Sequence, residues 1–363
     1  MSRVRDTHVA VIGAGIVGAS IAHHLAARGA RVTVLERERP AAAASGRSFG
    51  WINASFGHPD AYQQLRYLAM LEYLRLEREV PGIQVNWSGS LVWLPDAAGD
   101  SLARLVRAQQ RRGYPVRSVE AREFAALEPR VRPAPALAAF AEREAAVDPA
   151  HTTVALLEAA QKSGAQVRYP VTVTGFDLHG DRLRAVETGD GAIGVDVAVL
   201  AAGVDTPRLA REAQLRVPLK ESPALLLRTR PLEPTAARIL VTPQAQVKQQ
   251  VDGRVVVGVG PRAGLPAQSP EGARETLAAA QTILPGLTSA DLESATPGLR
   301  PMPDDELPIV GFAGPVGGVY VAVTHSGVTL AALIGRLVAS EILEGAPCDW
   351  LAPYRLSRFA AGG

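Results

Sequence analysis

The chain has 363 residues, 47% apolar and 20% charged, which suits a folded globular protein and excludes a disordered or fibrous one. A formal charge of +2 points to no polyanionic partner, so nucleic acid is not expected. The single cysteine, Cys348, excludes an intramolecular disulfide and a multi-cysteine metal site and suits a reducing compartment, with the cytoplasm as the expectation.

In chain order, Val9 to Ile12 reads as a strand, followed by a glycine turn, a helix from Ile16 to Arg28 and a second strand from Arg31 to Leu35. A small-residue loop, Pro40 to Gly57, suits a backbone that passes close to a ligand. A long amphipathic helix follows from Asp60 to Val80 and stops at Pro81-Gly82. Alternation from Ile83 to Pro95 predicts strands, and two helical pieces are expected to flank the proline-rich segment Pro129 to Pro135. After Val147-Asp148, a helix started by Pro149 runs to Ser163, where Gly164 ends it. Strands are expected at Gln166 to Phe176, Arg182 to Thr188 and Val195 to Ala201, and antiparallel ones at Ala224 to Arg230, Ala245 to Gln250 and Arg254 to Gly260. The closing unit is a strand, Val319 to Val323, a turn at His325-Ser326-Gly327 and a helix to Leu343. His325, Arg336 and Glu341 interrupt this last apolar stretch, so no membrane span is expected.

Parallel-type units at the start, middle and end, with strand-rich segments between them, predict an α/β protein in which one chain crosses between two domains several times. A Rossmann-like dinucleotide domain of the glutathione-reductase type is expected over residues 1–85, 145–218 and 300–363. An inserted α+β substrate domain on a mostly antiparallel sheet is expected over 86–144 and 219–299.

Gly13, Gly15 and Gly18 form G-x-G-x-x-G between a strand and a helix. The first glycine permits the tight turn, the second lets backbone approach a pyrophosphate, and the third lets helix pack on strand. The amides of the helix start, at Ile16 and Val17, and the macrodipole favour the phosphate charge. Glu36, closing the second strand, can accept hydrogen bonds from ribose hydroxyls. This fingerprint does not separate FAD from NAD. His23 and His24, on the first helix, read as packing or surface residues, and no metal is expected.

Three further features carry a resemblance. Glu36-Arg37 is followed by Ser45-Gly46-Arg47-Ser48-Phe49-Gly50-Trp51, a second motif reads Val199-Leu200-Ala201-Ala202-Gly203, and Gly298-Leu299-Arg300-Pro301 precedes Leu307-Pro308-Ile309-Val310-Gly311 and His325-Ser326-Gly327. In these the sequence resembles the D-amino-acid oxidase, glycine oxidase and sarcosine oxidase family across most of the cofactor domain, while the middle of the chain matches only in texture. The resemblance implies FAD, a small amine or amino-acid substrate, and oxygen or another electron acceptor. It places Ser45, Gly46, Arg47, Phe49, Gly50 and Trp51 along the pyrophosphate, ribityl chain and flavin ring, and adds Val173, Ala202 and Gly203 to the cofactor set.

The resemblance further implies hydride transfer from the carbon beside an amine to flavin N5, giving an imine that hydrolyses. Negative charge then gathers at N1 and the C2 carbonyl, where amides of Gly327, Val328 and Thr329, after Ser326, would face it. Fixed donors of that kind are worth about 3 kcal/mol. Arg300 is the expected clamp for a substrate carboxylate and also abuts the flavin. Arg47 either pairs with the pyrophosphate or reaches the substrate, with Trp51 and Asn53 beside it. His325 is expected at the flavin side or in the pocket rather than as an obligatory base, since a neutral amine needs none. Lys248, in a chain whose only other lysines are Lys162 and Lys220, is a candidate to sit over the flavin, where some sarcosine-oxidase-like members use a lysine with oxygen. Covalent relatives attach flavin through a cysteine near the carboxy-terminal signature; Ser294 to Gly311 contains none, so dissociable FAD is expected. Two other readings remain: a 2-hydroxy-acid dehydrogenase of the same fold, and a flavoprotein subunit active only in a heteromeric complex.

Overall fold

The computed structural model describes residues 7–55, 59–259, 270–314 and 316–362. The ends of the anticipated loop at Gly57 and strand at Gly260 lie outside them. A six-stranded sheet has the order Ile309–Phe312, Val319–Val323, Val197–Leu200, His8–Ile12, Arg31–Leu35, Gln166–Arg168. All its pairings are parallel except the edge strand Ile309–Phe312. Such a sheet must be covered on both faces, which is why residues 9–12 and Val319–Val323 are apolar runs, buried throughout, instead of alternating.

On one face lies the first helix, Ile16–Ala27, packed against the helices Pro149–Lys162 and Gly327–Glu344. Small residues on both helices allow that closeness: a Cβ at Gly335 of Gly327–Glu344 would stand 2.1 Å from Ser20 Oγ of Ile16–Ala27. Asp148 caps Pro149–Lys162, accepting from the amides of Ala150 and His151.

An eight-stranded sheet has the order Leu292–Leu299, Pro223–Pro231, Arg254–Val259, Gln246–Gln249, Ile239–Val241, Ser90–Val92, Leu137–Ala141, Arg117–Glu120. It is antiparallel apart from the pairing of Ile239–Val241 with Ser90–Val92. Leu227 and Val257 pack toward the helix Pro270–Ile283, while Leu226 and Gly258 face a cavity on the other side. No helix among the described residues is long and apolar enough to cross a membrane.

Several local expectations need correction. The helices Gly99–Arg111 and Ala121–Leu127 both precede the proline-rich segment instead of flanking it, and the strand Leu137–Ala141 follows. LAAFA has good helix formers, but pairing on both edges, with Ser90–Val92 and Arg117–Glu120, overrides that propensity. Between Ile83 and Pro95 only Ser90–Val92 is strand, with an isolated bridge at Asn86. The span Gln166 to Phe176 is two strands, Gln166–Arg168 and Val173–His179, in different sheets, because Pro170 has no amide to continue a ladder.

Candidate active site

A cavity of about 680 Å³ runs between the two sheets, from the first glycine turn to the start of the carboxy-terminal helix. At the glycine turn, Gly13 donates its amide to Leu35 O at 2.8 Å, joining the two strands behind the turn. Gly18 is not in the cavity wall: a Cβ there would lie 2.0 Å from Gly13 O, so its role is helix-to-turn packing. Ser45 Oγ accepts the amide of Ile16 at 2.9 Å, fastening the small-residue loop to the helix start. Glu36 accepts from Ala14 N through Oε2 and from Glu38 N through Oε1, each at 2.9 Å, which fixes its carboxylate at the cavity wall with lone pairs left for a diol. Arg37 is paired with Asp205 of the turn that follows Gly203.

The other end is assembled from three directions. The helix Gly327–Glu344 makes its first internal bond from Leu330 N to Ser326 O, so the amides of Gly327, Val328 and Thr329 precede the helical ladder at the cavity wall. Thr329 Oγ1 accepts from Asn53 N at 3.3 Å and donates to Trp51 O at 3.1 Å, pinning the Trp51–Ile52 strand to that helix start. Beneath it lies Glu144, wholly buried, which accepts from Trp51 Nε1 (2.9 Å), Ser90 Oγ (2.5 Å), Tyr114 OH (2.6 Å) and Ser55 N (3.2 Å).

Arg300 and His325 meet here, Nη1 to Nε2 at 3.4 Å. A guanidinium has only donors, so Nε2 accepts and the ring proton belongs on Nδ1, 3.5 Å from Ser326 Oγ. Burial, then the charges of Arg300 and Arg66, push the imidazole down to about 4, which leaves it neutral near pH 7. Burial also lowers the Arg300 pKa, and its Nε is buried without a partner. Arg47 reaches Pro297 O at 3.3 Å and lines the cavity.

All the anticipated site residues line the cavity except Gly18, Gly46 and Lys248. Gly46 makes a tight turn: a Cβ would lie 2.4 Å from Ala41 O. Lys248 is on its expected strand and outside the cavity wall, its ammonium behind the lining residues Phe49 and Gly50, donating to Val147 O at 2.7 Å and lying 5.4 Å from the centre of the Phe49 ring. Burial pushes it down to about 7. Cys348 is also outside the cavity wall. His23 and His24 do pack inside, and with Glu79 they bring potential ligand atoms within 4.8 Å of one another. Glu79 is engaged by Arg75 at 2.6 Å, and the charges of Arg75 and Arg336 beside His24 oppose a further cation.

The profile of the FAD dependent oxidoreductase family matches residues 8–341. The chain belongs to that family. A glycine oxidase of Bacillus licheniformis is 26% identical over 360 residues, covering 96% of each chain. A D-amino acid dehydrogenase of Cereibacter sphaeroides is 28% identical over 422 residues, covering 98% of this chain and 96% of its own. The fold matches that of L-proline dehydrogenase from P. horikoshii, with a TM-score of 0.88, 23% identity and 98% of each chain covered.

This FAD-dependent oxidoreductase is therefore an enzyme of a family of amino-acid oxidases and dehydrogenases, and its residues fit the cofactor. The cavity joins both glycine-marked helix starts. A Cβ at Gly203 would meet nothing within 4 Å, and at Gly327 nothing nearer than Val17 Cγ2 at 3.5 Å, so both glycines leave room for a ligand. Sequence reasoning missed Arg208 and Asp205, the latter paired with Arg37, and Arg66, Trp93, Leu102 and Gln246 among the cavity-lining residues. Composition gave no signal for these; they arrive from separate elements that only the fold brings together.

Proposed function

We propose that this enzyme oxidises the C–N bond of an amino acid or N-alkylated amino acid, releasing an imine that water hydrolyses. FAD, where bound along the cavity, would supply the hydride acceptor. Arg300 holds the substrate carboxylate through paired donors and thereby places the α-carbon. Gly327, Val328 and Thr329 direct their amides at the negative charge that the reaction develops. Residues 1–85, 145–218 and 300–363 would hold the cofactor, and 86–144 and 219–299 the substrate; these ranges contain all strands of the six- and eight-stranded sheets, respectively. Oxygen or another acceptor would complete the cycle.

The observation that carries the amine reading is the pairing of Arg300 with an imidazole held at about 4. Alcohol oxidation requires a base for the hydroxyl proton, and a group of that pKa is a poor one. The carboxylates on the described cavity wall, Glu36, Glu38 and Asp205, lie at the nucleotide end. An amine taken up from solution in its neutral form needs no such base.

Anaerobic mixing of the yellow protein with amino acids, N-methyl amino acids and 2-hydroxy acids tests this. Bleaching of the flavin by at least one amine and by none of the hydroxy acids is expected; bleaching by hydroxy acids alone rejects the proposal. Because Cys348 is outside the cavity, acid precipitation is expected to leave a colourless pellet and release the flavin to the supernatant. A pellet that remains yellow after washing would show a covalent link.

A further inference from the structure

Arg66 is a buried charge that the proposed chemistry has not used. It lies on the inner face of the helix Asp60–Glu79, 4% exposed, and lines the cavity. Its Nε donates to Asn53 O at 3.0 Å and its Nη2 donates to Asn53 Oδ1. A guanidinium offers no acceptor, so the amide atom it meets has to be the oxygen, and the orientation of the Asn53 side chain is fixed by chemistry. The Asn53 backbone amide is spent on Thr329 Oγ1, and both its oxygens on Arg66. Asn53 is itself 8% exposed and part of the cavity wall, which leaves Nδ2 as the polar group it presents there.

Arg66 also has a counter-charge. Burial lowers its pKa, while Tyr62, Glu144 and Tyr114 oppose that shift. The side chain is held by its bonds to Asn53 and feels the charge of Glu144. Thr329, which accepts the Asn53 amide, lies one turn past His325, and Arg300 meets that imidazole, so Asn53, Arg300 and His325 share the cavity wall at the start of the carboxy-terminal helix. That part of the wall carries an amide held in place by Arg66 and a guanidinium, and the acidic side chains among the described lining residues are Glu36, Glu38 and Asp205.

We propose that Asn53 Nδ2 is a second contact for the substrate's anionic group, alongside Arg300, and that Arg66 is its positioning residue. The proposal rests on the reading of Arg300 as the carboxylate holder. It predicts that the anionic group is gripped by both residues, so the neutral amine faces away from Asn53. Substrates lacking a carboxylate lose both contacts together.

The test uses the purified holoenzyme and whichever of acetate, benzoate and anthranilate perturbs the wild-type flavin spectrum at the lowest concentration. Asn53→Asp keeps both acceptors for Arg66 and replaces the outward donor with a negative oxygen. It is expected to weaken anion binding at least 10-fold while retaining FAD. Asn53→Ser, which lacks the amide with little change in bulk, is expected to weaken it about 5-fold and serves if the aspartate variant does not fold. Arg66→Lys should weaken binding in the wild type but add less than 2-fold in the Asn53→Ser background, a non-additivity that a merely structural role would not produce. Anion binding within 2-fold of wild type in both Asn53 variants overturns the proposal, as does loss of FAD affinity with anion binding unchanged, which would assign the amide to the flavin. Arg300→Ala is measured alongside: if that variant binds the anion normally, the clamp itself has failed, separately from Asn53.

Discussion

Arg300→Ala is expected to lower kcat/KM for a carboxylate-bearing amine by on the order of 100-fold, the consequence of removing one partner from a buried, hydrogen-bonded charge pair worth about 3 kcal/mol. Arg300→Lys should recover only part of this, since an ammonium supplies charge without the two parallel donors. The loss falls on both kcat and KM, because the same contact that binds the carboxylate also sets the distance of the α-carbon. Stability should not follow activity. Arg300 is desolvated in the free protein, and its Nε has no partner, so the unliganded variant is expected to melt no lower than wild type. A pH readout separates this role from a structural one. Arg300 is the second cause, after burial, that holds His325 at about 4 instead of its ordinary 6.5. Removing it raises the imidazole pKa, so in the variant a cation returns as pH falls, and the ratio of variant to wild-type kcat/KM should rise toward acid. A variant with wild-type kcat/KM and an unchanged profile would remove Arg300 from the substrate site.

The nucleotide half of the site was legible because its signals are local. Strand, glycine turn, helix and Glu36 fall within one stretch of chain, and each has a conformational reason that propensity and spacing express. The carboxy-terminal turn was legible for the same reason, His325, Ser326 and Gly327 lying between a strand and a helix whose bounds match expectation. Arg66 and Glu144 were not legible. Arg66 sits in a helix rich in charged residues, where an arginine ordinarily reads as solvated, and Glu144 belongs to the run Glu142-Arg143-Glu144. Their burial is decided by which elements pack above them: the Trp51–Ile52 strand, the tyrosine at 114 and the helix start at Gly327. Lys248 shows the converse. Its strand was anticipated, yet Phe49 and the carbonyl of Val147, both remote in sequence, determine where the ammonium points. The strand Leu292–Leu299 went unseen because LESATPGL carries no alternation and a proline; it is held by its long pairing with Pro223–Pro231.

Gly13→Ala is expected to give protein that either fails to fold or emerges colourless, and Gly327→Ala folded protein with weakened FAD binding. The difference lies in what a methyl group would meet. At Gly13 the backbone has φ +106°, outside the range open to an L-residue, and a Cβ would stand 2.5 Å from Ala201 O. That oxygen belongs to backbone leaving a central strand, whose amide is itself committed to Ile12 O at 2.9 Å. Neither side can yield without parting the strands His8–Ile12 and Val197–Leu200, so strain and overpacking together exceed roughly 3 kcal/mol. At Gly327 no positive φ is involved, and the nearest atom to a Cβ is Val17 Cγ2 at an ordinary 3.5 Å. Alanine is a better helix former than glycine, by up to about 1 kcal/mol, so stability should hold or increase. The new methyl instead occupies space at the helix start, where amides and the macrodipole face the cavity. Thermal melting and retained flavin absorbance of the two purified variants decide the matter. Gly13→Ala protein that is yellow and melts like wild type would mean that the first turn tolerates a side chain, and an equally yellow Gly327→Ala would mean that no ligand comes close to the second helix start.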